Sequence, residues 1–214
     1  MKPIRVLLAD DHETVRQGLR LLVDAQTDME VVAEAGNGRV AIERTVALHP
    51  NVVVLDVSMP ELNGLDATRE LRAVAPDAAI VALTRYDDDA YVREIMRAGA
   101  AGYVLKQSQS SELLRAIRAA ARGSTYLDST IPHRVNEVLS RRQRKAPRSV
   151  ISEREREVLR LMALGHSNKD IAAELGVSVK TVEVHKSNAM RKLGLQGRID
   201  IVRYAVLQGW LHEP

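Results

Sequence analysis

Five short runs rich in Val, Ile, Leu and Ala constrain this chain more than any other feature. They occupy residues 4–9, 29–35, 51–56, 78–84 and 101–106. Their length and near-continuous apolar character suit strands buried on both faces of a parallel sheet. Helical patterns fill the gaps between them. Val15, Leu19 and Leu22 fall at i, i+4 and i+7 and share one helix face. Residues 64–74, 88–98 and 110–121 read likewise, with Asp88 and Ser110 as expected N-caps and Gly99 as a helix stop. Five strand–helix units in residues 1–122 predict a doubly wound, five-stranded parallel α/β domain.

In such a sheet, ligands bind beyond the carboxyl ends of the strands. Asp10 and Asp11 end the first strand, Asp56 the third, Thr84 the fourth and Lys106 the fifth. Any one alone reads as a solvated strand end or a cap. Three acids, a hydroxyl and an amine converging on one sheet edge suggest phosphoryl transfer onto Asp56. Clustered carboxylates repel unless a cation intervenes, and an all-oxygen set suits Mg2+. Asp11 and Asp56 are expected to ligate it, with Asp10 assisting through water. Lys106 would neutralise the phosphoryl oxygens and Thr84 would donate a hydrogen bond to one of them.

Charge divides the chain. Residues 1–122 carry a net −3, residues 123–150 a net +4 and residues 151–214 a net +2. A polyanion is one candidate partner of the rear half; a solvated face is the bland alternative. The chain has no cysteine, which excludes disulfides and thiolate metal sites and suits a reducing compartment. No apolar run approaches the ~20 residues of a membrane span, and the opening residues lack a signal-peptide core. The expectation is a soluble, cytoplasmic protein with no membrane partner.

Residues 123–148 break the strand–helix rhythm and read as a linker. Ile131, Val135, Val138 and Leu139 are expected to form one short amphipathic helix, followed by the basic tether "RRQRKAPR". That tether either adds phosphate affinity or is simply solvated.

Residues 149–214 read as four helices. Ser152 and Glu155 make a capping box ahead of the first, and Gly165 stops it. The second helix is stopped by Gly176. The third is capped by Ser178 and stopped by Gly194, and the fourth spans about residues 198–208. Helix, short "GVS" turn and helix is the helix-turn-helix layout. On the third helix Val182, Ala189 and Leu193 are expected to face the core. Lys180, Glu183, Val184, Ser187 and Arg191 then form the opposite face, suited to a major groove. Glu183 is expected to accept from a cytosine amino group, or else to pair with Lys180 or Lys186. Lys169, Thr181, Lys186 and Lys192 suit phosphates. His185 suits the DNA backbone or packing; neither it nor His166 has ligand spacing for a metal.

The segments "LLADDHETVRQGL", "VVVLDVSMPELNGLDATRELR", "IVALTRYDD" and "RAGAAGYVLK" resemble the receiver domain of bacterial two-component response regulators. The segment "SEREREVLRLMALGHSNKDIAAELGVSVKTVEVHKSNAMRKLG" resembles the LuxR-type DNA-binding domain. Together they resemble the NarL/FixJ group over nearly the whole chain. The resemblance implies a flavodoxin-like receiver phosphorylated on Asp56 by a sensor histidine kinase. It implies the backbone carbonyl of Ser58 as a third protein ligand of Mg2+. It also implies that Thr84 and Tyr103 move as a switch on phosphorylation, where Tyr103 would otherwise be an ordinary half-buried strand aromatic. A dimer on promoter DNA, formed through the last helix, follows too, with RNA polymerase a further candidate partner. The receiver is expected to cover part of the rear domain until phosphorylated. Arg85, where the family has a small residue, would crowd the phosphate or pair with it. Tyr86 and Ser58 flank the expected path of a hydrolytic water.

Two rival readings differ in residues. A phosphohydrolase of the haloacid dehalogenase kind carries Asp-x-Asp after its first strand, whereas Asp10 and Asp11 are adjacent here. "GNG" at 36–38 lacks the lysine and hydroxyl of a P-loop. A constitutive DNA binder with an inert receiver would have no need of the set Asp10, Asp11, Asp56, Thr84 and Lys106. The chain is therefore expected to accept phosphate once, with at most slow self-dephosphorylation, and not to turn over as an enzyme.

Overall fold

The computed structural model describes residues 2–59, 61–87, 89–131 and 151–211. The chain divides into two compact units, Met1–Arg141 and Arg142–Pro214. The first is a parallel sheet of β1 (Ile4–Ala9), β2 (Met29–Ala35), β3 (Val52–Asp56), β4 (Ala79–Thr84), β5 (Gly102–Leu105) and β6 (Tyr126–Leu127). Helices α1 (Glu13–Asp24), α2 (Gly38–Leu48), α3 (Gly64–Val74), α4 (Asp89–Ala98) and α5 (Ser110–Ala121) connect them. The strand order is β2-β1-β3-β4-β5-β6. The order therefore reverses between β1 and β3, which opens a crevice at their carboxyl ends.

Alternation along the strands builds two cores. Val6, Leu8, Val52 and Val54 point to one face, against Leu113, Ala116, Ile117 and Ala120 of α5. Leu7, Ala9, Val53 and Leu55 point to the other, against Ala41 of α2 and Ala67 and Leu71 of α3. Burial on both faces is why these runs show no polar alternation. Each fully buried Leu or Ile contributes about 1.5–3 kcal/mol relative to exposure.

The expected strands and the helices Gly64–Val74 and Ser110–Ala121 are present within a residue or two of their predicted ends. Ser110 is the first helical residue of α5, and Gln109 holds the cap position without a side-chain bond. Its backbone carbonyl alone accepts the N–H of Glu112, at 2.8 Å. Asp88 lies outside the described residues.

The sixth strand lies in the segment read as a linker. No apolar run announces it, because polar groups hold it. Tyr126 N–H donates to Ala101 O and Asp128 N–H to Tyr103 O, both at 2.9 Å. The buried Asp128 carboxylate accepts Leu105 N–H at 3.0 Å and both the N–H and the hydroxyl of Thr130. The buried Glu112 of α5 accepts the Tyr126 hydroxyl at 2.6 Å and Ser129 N–H at 3.2 Å. The first unit thus runs past residue 122. Ile131 is buried beside this strap; Val135, Val138, Leu139 and the basic tether lie outside the described residues.

The second unit contains α6 (Glu153–Ala163), α7 (Asn168–Glu174), α8 (Val179–Leu193) and α9 (Arg198–Leu207). Ser152 and Glu155 form the expected capping box, and Ser167 with Asp170 forms a second. Ser178 accepts from Thr181 N–H at the start of α8. The turn between α7 and α8 passes through Gly176 at φ +64°, a left-handed conformation that a side chain would strain. Val158, Leu159, Leu161, Met162, Ile171, Val182, Ala189, Leu193, Ile201 and Tyr204 form the core. Trp210 packs edge-on against Tyr204, with ring centroids 5.5 Å apart.

Candidate functional site

β1 and β3 deliver two buried carboxylates to the crevice. Asp10 follows β1 and is fully buried, and Asp56 ends β3 at 1% exposure. Lys106, directly after β5, reaches both. Its Nζ lies 2.7 Å from Asp10 Oδ2 and 2.8 Å from Asp56 Oδ2. Burial would lower the Lys106 pKa, but the two carboxylates outweigh it and raise it, so the amine stays charged. For Asp56 the balance is opposite. Burial raises its pKa, and the Lys106 hydrogen bond, the Lys106 charge and the Ser58 N–H only partly offset it. An ionised Asp56 is thus held in a costly state, which favours capping the carboxylate with a cation or a phosphoryl group.

The second oxygens of these acids are held locally. Asp56 Oδ1 accepts Ser58 N–H at 3.1 Å, and Asp10 Oδ1 accepts His12 N–H at 2.9 Å. One ligand atom each from Asp10, Asp11, His12 and Asp56 falls within 4.8 Å of the others. This oxygen-rich donor set fits a hard divalent cation. Asp11 and His12 are the exposed members. His12 belongs to this group although the sequence reading passed it over; its place directly after two acids at a strand end was the available signal.

The loop after β3 is shaped by close packing. A Cβ on Gly64 would stand 2.5 Å from both Asp56 O and Val57 Cα. Gly64 N–H also donates to Val57 O at 3.0 Å, so the residue cannot withdraw. Asn63 caps α3 by accepting Asp66 N–H. Gly64→Ala is expected to cost about 1–3 kcal/mol by overpacking. It should also slow labelling by acetyl phosphate, because the backbone that must give way carries Asp56. Thermal unfolding and labelling rates of the variant check both effects.

Thr84 is buried at the end of β4, and its Oγ1 accepts Tyr86 N–H at 3.2 Å. Tyr103 is fully buried, and its hydroxyl donates to Tyr86 O at 2.8 Å. The Tyr86 ring lies against Tyr91 of α4, centroids 4.4 Å apart. The two expected switch residues therefore meet on one segment, through the backbone of Tyr86. Arg85 is exposed and pairs with no acid among the described residues. Ser58 is exposed beside Asp56.

On α8, Val182, Ala189 and Leu193 are buried as expected. Lys180, Glu183, Val184, Ser187 and Arg191 are exposed along the opposite side, and His185 and Lys186 are half-buried. Val184 is 51% exposed. Glu183 makes no ion pair among the described residues, so neither Lys180 nor Lys186 holds it. Arg191 donates to Asn188 at 3.1 Å, and the Thr181 hydroxyl lies 2.8 Å from Ser178 Oγ. Lys169 is exposed in the first turn of α7, and His166 faces Glu174 at 3.7 Å.

Lys192, expected to suit phosphates, also pairs within its own domain. Its Nζ lies 2.7 and 2.8 Å from the two oxygens of buried Glu155, joining α8 to the start of α6. The pattern of α8 placed it among phosphate-binding cations. Only packing reveals that a buried acid 37 residues earlier claims it. Burial alone would raise the Glu155 pKa, but Lys192 and Ser152 N–H outweigh it and hold the carboxyl below its ordinary range.

Residues 6–118 match the response regulator receiver domain, and residues 149–205 match the bacterial regulatory proteins of the luxR family. The oxygen regulatory protein NreC of Staphylococcus epidermidis is 40% identical over 211 residues, covering 95% of this chain and 97% of NreC. RcsB of Salmonella enterica serovar Typhimurium, solved bound to a promoter in the presence of a phosphomimetic, is similar in structure. It is 28% identical with a TM-score of 0.77, covering 97% of this chain and all of that one. The signal receiver domain of the response regulator NarL from Mycobacterium tuberculosis is 30% identical with a TM-score of 0.56, covering 57% of this chain and 99% of that domain. No described helix is long and apolar enough to cross a membrane. A crevice of acids and one lysine on the first unit, an exposed α8 on the second and relatives matched end to end place this chain among the two-component response regulators of the NarL/FixJ group, which regulate transcription through a luxR-type DNA-binding domain.

Proposed function

We propose that a sensor histidine kinase phosphorylates this protein on Asp56 in a Mg2+-dependent reaction, and that it then binds promoter DNA as a dimer. The observation that carries the reading is Lys106 bridging two buried carboxylates, Asp10 and Asp56, at the β1/β3 crevice. Asp56 supplies the nucleophilic oxygen. Lys106 neutralises charge on the incoming phosphoryl group, and Ser58 N–H orients the carboxylate. Asp11 and Asp56, with the Ser58 carbonyl and with Asp10 through water, would hold the ion. When bound, Mg2+ screens the carboxylate from the incoming anion. Thr84 would turn its hydroxyl toward the phosphate, giving up Tyr86 N–H and loosening the bond from Tyr103 to Tyr86 O. The protein accepts phosphate stoichiometrically rather than turning it over, and works in the cytoplasm, where promoter DNA lies. The promoter-bound RcsB structures support the DNA reading. The structure of two RcsB dimers on two DNAs, 28% identical with a TM-score of 0.72 over 99% of this chain, supports the dimer. RNA polymerase is a further partner of such a regulator.

Population shift from a covered to a free DNA-binding domain is the proposed control. Residues 149–214 alone should bind operator DNA better than the unphosphorylated whole, and acetyl phosphate with Mg2+ should close that gap. Equal binding by the fragment and the unphosphorylated protein refutes the covering.

On DNA, Glu183 is proposed to read a base, because an acid there gains nothing from phosphates. Glu183→Ala is expected to relax preference at one position of each half-site, by about 1–3 kcal/mol. Lys186→Ala should weaken all sequences alike and reduce the salt slope by about one unit. Binding to a set of single-base operator variants at several salt concentrations separates the two.

A further inference from the structure

We infer that Arg16 is a positioning residue for the Mg2+ site: it sets the place of the Asp11 ligand by holding the peptide that precedes it. The inference rests on the Mg2+ reading proposed above. Arg16 lies one turn into α1. Its Nη1 donates to the backbone carbonyl of Asp10 at 2.7 Å, and its Nε lies 3.4 Å from Glu34 Oε2 on β2. The two side chains are 17% and 23% exposed, whereas Arg20, one turn later on α1, is 53% exposed. Drawing a guanidinium out of water costs free energy, which the carbonyl and the Glu34 carboxylate offset.

Both backbone groups of Asp10 are thereby tied to the end of β2. Its N–H donates directly to Ala35 O at 3.1 Å, and its carbonyl is reached through Arg16 from Glu34, the residue before. That carbonyl belongs to the rigid peptide plane that ends at the Asp11 Cα. Fixing the oxygen fixes the direction in which Asp11 leaves the strand. Asp11 gains most from such a hold, because it is exposed and packing constrains it little. Asp10 and Asp56 are buried, and Lys106 holds an oxygen of each. Charge acts in the opposite sense and so separates two roles for Arg16. A cation one peptide from the acids repels Mg2+, and Glu34 neutralises it only in part, being shared with Arg20 at 2.8 Å. By charge alone, losing Arg16 would tighten Mg2+ binding. Losing a group that orients a metal ligand weakens binding, by about 10–100-fold.

The test uses the full-length protein, Arg16→Met, which keeps the aliphatic stem but removes donor and charge, and Glu34→Ala, which frees Arg16 from its anchor. Mg2+ affinity is measured by calorimetry, and thermal unfolding in EDTA checks that each variant is folded. Arg16→Met should bind Mg2+ about tenfold more weakly than the wild type. Glu34→Ala should show a smaller loss in the same direction, and it decides the matter should Arg16→Met not fold. Labelling of Arg16→Met by acetyl phosphate should slow at limiting Mg2+ and return to the wild-type rate at saturating Mg2+, because Asp56 and Lys106 are untouched. Mg2+ binding that is unchanged or tighter in either folded variant overturns the inference, as does labelling that stays slow at saturating Mg2+. A wild type that binds no Mg2+ overturns the ion reading beneath it.

Discussion

Asp56→Asn is expected to abolish phosphoryl labelling by acetyl phosphate and by a cognate kinase, while the receiver remains folded. The loss should be complete, because Asp10, which shares the burial and the Lys106 contact, is assigned to assist the ion and not to accept the phosphoryl group. Asp10 is equally buried but follows β1 and is held by Lys106 and by His12 N–H. Stability should move the other way. The Asp56 pKa is raised in the folded state, chiefly by burial. A raised carboxylate contributes stability below its unfolded value near 3.9, and that contribution is lost as pH climbs through the folded value. At neutral pH the ionised carboxylate is therefore a net cost. Without divalent ions, Asp56→Asn should unfold at a temperature no lower than the wild type. Adding Mg2+ should raise the wild-type midpoint and leave the variant nearly unchanged. Label that persists on Asp56→Asn would remove Asp56 as the acceptor.

Lys192→Ala is expected to cost the rear domain about 1–3 kcal/mol, between the values for exposed and buried ion pairs, because Lys192 itself is partly exposed. Glu155 is the buried member, at 5% side-chain exposure, whereas Lys192 is 38% exposed. Removing the lysine leaves the more buried charge without its ion partner; removing the glutamate leaves a lysine that water already reaches. Lys192→Ala should therefore be worse than Glu155→Gln, although Glu155 also closes the capping box on Ser152 N–H. Trp210 is the chain's one tryptophan and packs on Tyr204, so its fluorescence reports this domain alone. In the wild type the Glu155 pKa is depressed, so the stability it contributes is full above about 4.3 and is lost as pH falls through its folded value. In Lys192→Ala that acid loss should disappear, and mild acid should instead help by neutralising the stranded carboxylate. The double variant Glu155→Leu/Lys192→Met should recover most of the stability. A Lys192→Ala protein with an unchanged Trp210 midpoint would refute the structural role of Lys192.

Features that depend on near neighbours along the chain could be read from the sequence. Strand period, helix faces and capping chemistry are local, so β1 to β5, the helices Gly64–Val74 and Ser110–Ala121 and the Ser152–Glu155 capping box were all legible. So was the convergence of Asp10, Asp11, Asp56, Thr84 and Lys106, because parallel strands put their carboxyl ends on one edge. Tertiary structure alone decided what joins residues far apart. Strand β6 has no apolar pattern; it exists because Asp128 and Glu112 are buried against it and claim its polar groups. The fate of Lys192 shows the reason most simply: helical periodicity can say which side of α8 a lysine occupies, but only packing brings a buried carboxylate from another helix within 2.7 Å of it.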